Sequence, residues 1–183
     1  MTDDQDKDLL KRFRDSSSRN MAFNELVNRY QERLYWHIRR IVIDHDDADD
    51  VLQNTFIKAF ENLDKFREDS QLFTWLYRIA TNESLSFLKK KKKNVFVSMD
   101  DVSRQLSSTL ESAPELSGDA IQLKLQRAIL TLPTKQRLVF NMKYFDEMKY
   151  EEIAQVTGTS VGALKASYHH AVKKIEAYVK SQF

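Results

Sequence analysis

The chain has no cysteine, and that absence removes disulfides, thiolate zinc sites, iron–sulfur clusters and cysteine nucleophiles. Its 183 residues include only three glycines and two prolines. Sheet proteins need many such residues at their turns, so an all-helical fold is expected. Apolar runs such as Ile41 to Ile43 are far shorter than the roughly 20 residues that cross a bilayer. The opening residues, MTDDQDKDLL, are acidic and unlike a secretory leader, so a cytoplasmic location without membrane insertion is expected. Also missing are a Gly-rich phosphate loop, metal-ligand spacing and a Ser-His-Asp arrangement. The sequence therefore offers no catalytic residue, no cofactor-binding residue, no metal site and no small-molecule substrate, and an enzyme is not expected.

What is present is charge, sorted along the chain. The formal net charge is only +2, but its parts are segregated. Five aspartates lie between Asp44 and Asp50, five consecutive lysines run from Lys89 to Lys93, and four lysines face one glutamate after Ser160. An acidic helix start suits the macrodipole or a basic partner, whereas basic tracts are either solvated helix ends or phosphate contacts.

Helical periodicity is strong on both sides of one break. Met21, Phe23, Leu26, Val27, Tyr30 and Leu34 form one apolar stripe, and Val51, Leu52, Thr55, Phe56, Ala59 and Phe60 form the next. A third helix is predicted from about Ser70 to Lys92, with Leu72, Leu76, Ile79, Ala80 and Phe87 on one side. Residues 94–118 then contain six serines, a proline and a glycine without sustained period, which reads as a flexible linker. Beyond it, helical patterns over Ile121 to Leu130 and Lys135 to Tyr144 meet at Leu132-Pro133. The expected organisation is a helical domain over 1–93, a linker over 94–118 and a smaller helical domain over 119–183.

The smaller domain ends in YEEIAQVTGTSVGALKASYHHAVKKI, two helical patterns broken at Thr157-Gly158-Thr159. This is the pattern of a helix-turn-helix. Leu164, Tyr168, Ala171 and Ile175 would face a core, leaving Lys165, Ala166, His169, His170 and Lys173 on a polar face suited to a major groove. A tight helical hairpin with a solvated outer face is the alternative at this point. Adjacent histidines diverge by about 100° on a helix, and no cysteine or carboxylate stands near them, so a metal site is not expected there.

A second kind of nucleic-acid signal lies between Phe66 and Lys93. Phe66, Phe73, Trp75 and Tyr77 are interleaved with Lys65, Arg67 and Arg78. Trp75, Arg78 and Asn82 recur at spacings of three and four, on one helical face beside the apolar stripe. A ring, a cation and an amide in that arrangement suit an unpaired base. Phe73, nearer the apolar side, reads better as core.

Four segments in order, DDVLQNTFIKAF (Asp49 to Phe60), FREDSQLFTWLYRIATNESLSFL (Phe66 to Leu88), LTLPTKQRLVF (Leu130 to Phe140) and the helix-turn-helix, resemble the sigma-70 family of bacterial transcription factors, extracytoplasmic-function subfamily. The resemblance implies a sigma-2-like domain that binds core RNA polymerase and melts the −10 promoter element, and a sigma-4-like domain that binds the −35 element. It implies core-polymerase contacts at Asp49, Asp50, Gln53, Phe56, Ile57 and Lys58. It implies −10 contacts at Phe66, Arg67, Ser70, Trp75, Arg78 and Asn82, and −35 contacts at Ser160, Lys165, Ala166, Ser167, His169, His170 and Lys173. The implied partners are core RNA polymerase, promoter DNA and an anti-sigma factor, with no cofactor.

Three features depart from the family pattern. Asn54 stands where an acidic residue is usual, and Lys149 stands where a Ser or Thr often caps the first helix of the motif. The recognition helix reads ALKASYHHAVKK where several arginines are common, and although Lys165 matches a basic position, Ala166, Ser167, His169 and His170 do not offer the bidentate guanine contacts that arginine makes. A helix-turn-helix regulator that is not a polymerase subunit, or a helical interaction module, stays open on sequence alone.

Overall fold

Side-chain burial and end-capping decide where each helix begins and stops. The structure, a computed structural model, describes residues 2–94 and 120–181, with side chains over 4–91 and 124–181. All regular elements there are helices: α1 (Thr2–Arg14), α2 (Arg19–Val42), α3 (His45–Asn62), a 3-10 turn (Leu63–Lys65), α4 (Leu72–Asn94), α5 (Ala120–Leu130), α6 (Thr134–Tyr144), α7 (Tyr150–Thr157) and α8 (Val161–Ser181). They divide into two units, 1–87 and 88–183. Except for Asn94, the expected linker lies outside the described residues. Among the described residues no helix is long and apolar enough to cross a membrane.

The first unit is assembled around α2. Its buried stripe runs Ala22, Leu26, Tyr30, Leu34, Ile38 and Ile41, spaced so as to keep one face inward. Met21, expected in that stripe, is 70% exposed instead. The helix starts at Arg19 with its core register set by Ala22, which turns Met21 outward.

Helix α1 had no clear signature, because only Leu9, Leu10 and Phe13 supply its apolar face. All three are buried. Burial of each is worth roughly 1.5–3 kcal/mol gross, so docking and not intrinsic propensity holds this short acidic helix. A charged ladder fixes its register on α2: Arg29 bonds Asp6 and Glu25, Arg12 bonds Glu25, and the Tyr30 hydroxyl donates to Asp6, each at 2.7 Å.

The α2–α3 corner is tight. Ile43 turns at φ 72, a costly conformation for a β-branched residue, and its burial opposes that cost. Asp44 then caps α3, its carboxylate accepting from the Asp47 N–H at 3.1 Å. Asp46 and Asp47 lie in the first turn, where the helix dipole favours them. Part of the acidic cluster is thus accounted for by helix initiation.

In the second unit, Ala128, Ile129, Leu132, Phe140, Ala171 and Ile175 form one core in which α5, α6 and α8 meet. Gly158 ends α7 in the left-handed region (φ 68) and its N–H closes on the Ala154 carbonyl at 2.8 Å. Lys149 supplies no side-chain cap to α7, as its chemistry requires. The Glu152 carboxylate instead accepts from the Lys149 backbone N–H at 2.7 Å, which is half of a capping box.

Candidate protein and nucleic-acid interfaces

Helix α3 has two unlike faces because Ala48, Val51, Thr55 and Ala59 are buried at helical spacing. The opposite face carries Asp50, Gln53, Asn54, Ile57, Lys58 and Glu61, all exposed. Ile57 is 57% exposed, an apolar residue with no burial to explain it. Two expected contacts, Phe56 and Asp49, differ from this outward group, and a third, Lys58, belongs to it but is engaged by a neighbour. Phe56 is half-buried and packs edge-on against Phe23 at 6.3 Å. Lys58 donates to Glu83 on α4. Asp49 approaches His45 Nε2 at 3.6 Å, while the Tyr35 hydroxyl bonds the other ring nitrogen at 2.7 Å.

The loop between α3 and α4 is held by alternate residues. Leu63 and Phe66 are buried, Asp64 accepts from Arg19 at 2.7 Å and Glu68 accepts from Arg14 at 3.0 Å. Lys65, Arg67 and Asp69 are left exposed, with Ser70 half-buried. Phe66 therefore presents no open ring face. Its ring lies under the half-buried Trp75, centroids 5.2 Å apart.

Beyond the loop, whose last residue Gln71 is exposed, Arg78, Asn82, Ser86 and Lys89 are exposed on the same face of α4 as Trp75. The ring, cation and amide expected together from spacing do share this face. The other side is core: Leu76, Tyr77, Ala80, Thr81 and Ser84 are buried, and His37 bonds the Thr81 hydroxyl at 2.9 Å. Phe73 is half-buried between Tyr77, at 4.4 Å, and the Arg33 guanidinium, at 4.3 Å. Lys89, Lys90 and Lys91 are exposed in the last turns of α4.

On α8, Leu164, Ala171 and Ile175 are buried and Tyr168 is half-buried, stacked on Phe140 at 5.8 Å. Lys165, Ala166, His169, His170 and Lys173 are exposed, and Ser167 lies at the margin. Ser160 has a structural part as well, because its hydroxyl accepts from the Ala163 N–H at 3.4 Å, as an N-cap does. Gly162, Ala163 and Ala166 keep the start of the helix narrow, with open space where a Gly162 Cβ would point. Two cations flank the Tyr150 ring: Lys143 Nζ at 5.2 Å and Lys165 Nζ at 5.8 Å from its centroid. Burial pushes the Tyr150 phenol upward, with Tyr168 a lesser cause.

Among the described residues no group of three or more His, Asp or Glu side chains could hold a metal ion. The residues that sequence reasoning missed are Arg14, Arg19 and Glu83. Nothing in their local pattern marks them, because each acts on a partner more than 20 positions away.

Comparison with known proteins places the chain in a family. Residues 26–94 match the model "Sigma-70 region 2" and residues 122–175 match "Sigma-70, region 4". The chain is 33% identical over 156 residues to the ECF RNA polymerase sigma factor SigW of Bacillus subtilis, covering 81% of this chain and 83% of that one. It is 32% identical to the RNA polymerase sigma-H factor of Pseudomonas aeruginosa, covering 96% and 94%. Its fold resembles the sigma factor RpoE of Bartonella quintana, solved with the anti-sigma factor NepR, at a TM-score of 0.71 and 22% identity over 86% of this chain and 96% of that one. The two regions in this order, with relatives above 30% identity along most of their length, establish that the chain belongs to the sigma-70 family of RNA polymerase sigma factors, in the extracytoplasmic-function group.

Proposed function

We propose that this sigma factor divides promoter recognition between its two units, with single-strand capture at the −10 element by residues 1–93 and duplex binding at the −35 element by residues 119–183. The observation that carries this reading is the exposed face of α4, where Trp75, Arg78 and Asn82 follow the Arg67 loop. Unstacking a base step costs a few kcal/mol, and a ring that accepts the freed base offsets that cost. Opening is then driven by capture of the non-template strand, with no bond chemistry and no cofactor.

The exposed face of α3 is assigned to core polymerase. Asp50, Gln53 and Ile57 combine charge, amide and apolar area on one side, as a protein interface does. In this reading Asp49 sits at the margin, Phe56 backs the face from below and Lys58 links it to α4. Duplex binding is assigned to Lys165, Ala166, Ser167, His169, His170 and Lys173, with Ser160 setting the helix start. An anti-sigma factor is proposed as a further partner and the cytoplasm as the compartment.

The test is reconstitution. Purified protein with core polymerase is expected to initiate at a mapped promoter that core alone ignores. If core binds normally and yet no promoter-dependent transcript forms from any candidate in the same genome, the reading fails.

A further inference from the structure

Sigma-70 region 2 matches this chain only from residue 26 onward, so α1 and the start of α2 lie before the matched segment. Two arginines from there reach forward by 54 and 45 positions into the loop between α3 and α4. Arg14 Nη2 bonds Glu68 at 3.0 Å, and Arg19 Nη2 bonds Asp64 at 2.7 Å. Neither arginine is loosely placed. Arg19 also lies over the Phe13 ring at 4.2 Å and the Phe60 ring at 5.1 Å, so one guanidinium joins α1, the end of α3 and the loop. Arg14 ends a helix welded to α2 by buried Leu9, Leu10 and Phe13 and by the Asp6, Arg29, Glu25 and Arg12 ladder.

The loop needs such help for two reasons. From Leu63 to Gln71 it carries three carboxylates, Asp64, Glu68 and Asp69, against two cations, Lys65 and Arg67. Left alone, that balance repels a phosphate backbone. Arg14 and Arg19 turn it to four cations against three anions, and they engage Asp64 and Glu68 while Lys65 and Arg67 stay exposed. The second reason is conformational. Glu68 has φ 60, an uncommon left-handed backbone for a residue with a side chain, and the Arg14 contact restrains the residue in that turn.

We infer that Arg14 and Arg19 are positioning residues for −10 strand capture: α1 and its junction with α2 brace the recognition loop and cancel the two carboxylates that oppose DNA. This rests on the proposed role of the loop and of Trp75, and it adds a part for the chain before residue 26. Arg14 and Arg19 need not touch DNA. They set the shape and the field of the surface that does.

The experiment uses holoenzyme made from the full chain and core polymerase on a mapped promoter. Opening is read by permanganate reactivity of unpaired thymines, and core affinity is read separately. Arg14→Gln and Arg19→Gln are each expected to slow opening about two- to five-fold, the size of one well-placed surface ion pair, with core affinity unchanged. The exchanged pair Arg14→Glu with Glu68→Arg is expected to recover most of the loss, which a general folding defect does not allow. Discrimination between promoters that differ at one −10 base is expected to flatten in the single variants and return in the exchanged pair. Normal opening in both arginine variants, with Trp75→Ala impaired, overturns the inference and leaves the role of the loop standing. Normal opening in Trp75→Ala and Arg67→Ala as well overturns both. Equal loss of opening and core affinity, without recovery in the exchanged pair, reduces the arginines to fold stability and also overturns the inference.

Discussion

The ring of Trp75 rests on the ring of Phe66, centroids 5.2 Å apart and planes inclined by 45°, with Phe66 only 6% exposed. One aromatic is thereby spent as a platform so that the other is fixed at the surface. A base stacking on Trp75 meets a ring whose motion is already restricted, and preorganisation of this kind lowers the cost of binding. Trp75→Ala is expected to impair promoter opening at least ten-fold while core association stays within two-fold, since base stacking is worth roughly 1–3 kcal/mol. Trp75→Phe should recover part of the loss. Phe66→Ala, by contrast, empties a buried site and is expected to destabilise the first unit by about 3–5 kcal/mol. Both tryptophans, Trp36 and Trp75, lie in that unit, so tryptophan fluorescence during urea unfolding reads its stability directly.

The exposed face of α3 predicts a different separation of effects. Ile57 is 57% exposed, so replacing it leaves no cavity. Ile57→Asp is expected to weaken core binding by ten-fold or more while the urea midpoint of the first unit barely moves. A matched fall in stability would show that the residue serves the fold. Lys58→Met is expected to affect opening more than core affinity, because its partner is Glu83 on α4, next to Asn82.

Much of this arrangement was legible beforehand, for a physical reason. The faces of α3, α4 and α8 are each set by a period along one helix, and periodicity is what a sequence displays. Trp75, Arg78 and Asn82 fall together for that reason alone. The brace from Arg14 to Glu68 and from Arg19 to Asp64 was not legible, because ion pairs across 54 and 45 positions leave no local mark. Helix α1 was missed because three apolar residues among many charges make a weak stripe. Met21 was misplaced because a stripe does not announce its own first member. Phe66 is expected among the −10 contacts, and what the sequence does not display is that it lies 6% exposed against the ring of Trp75.

Acid is expected to loosen the join between α1 and α2. A hydrogen bond from Arg12, aided by the charges of Arg12 and Arg29, holds the Glu25 carboxyl below its ordinary range against the opposing effect of desolvation, and bonds from Ser17 lower Asp15. A carboxyl depressed in the folded state contributes stability above its unfolded value and loses it as pH falls through the folded one. The thermal midpoint read by tryptophan fluorescence should therefore decline from about pH 5 downward. Glu25→Gln should be less stable near neutrality and less sensitive to acid. A variant that keeps the full pH dependence would show that Glu25 does not carry it.

On α8, Lys165 is exposed, and its Nζ lies 5.8 Å from the centroid of the Tyr150 ring. If it meets a phosphate, Lys165→Ala weakens −35 binding uniformly across sequences. The slope of log affinity against log salt then falls by about 0.9. Ala166→Arg is the complementary change, because it adds a fork able to read guanine on the exposed face. It is expected to tighten binding to some −35 variants and not others, with the preferred base revealed by competition among duplexes. Uniform tightening would mean that the new arginine meets only the backbone.

The two described glycines of the helix-turn-helix should respond to the same substitution with opposite signs. Gly158 and Gly162 both have open space where a Cβ would stand, so neither outcome is steric. Gly158 has φ 68, and an alanine held there pays the left-handed penalty of roughly 1–2 kcal/mol. Gly162 lies in the first turn of α8, where alanine is the better helix former by at most about 0.8–1 kcal/mol, the difference in a helix interior. Gly158→Ala should therefore lower the stability of the second unit and Gly162→Ala should raise it, as read by circular dichroism of the full chain alongside tryptophan fluorescence, which follows only the first unit. The gain at Gly162 carries a cost if the narrow start of α8 is what lets the helix approach a duplex. In that event the more stable Gly162→Ala protein binds −35 DNA less tightly, and stability and affinity separate at one methyl group. Unchanged affinity would leave the glycine there without a role in recognition.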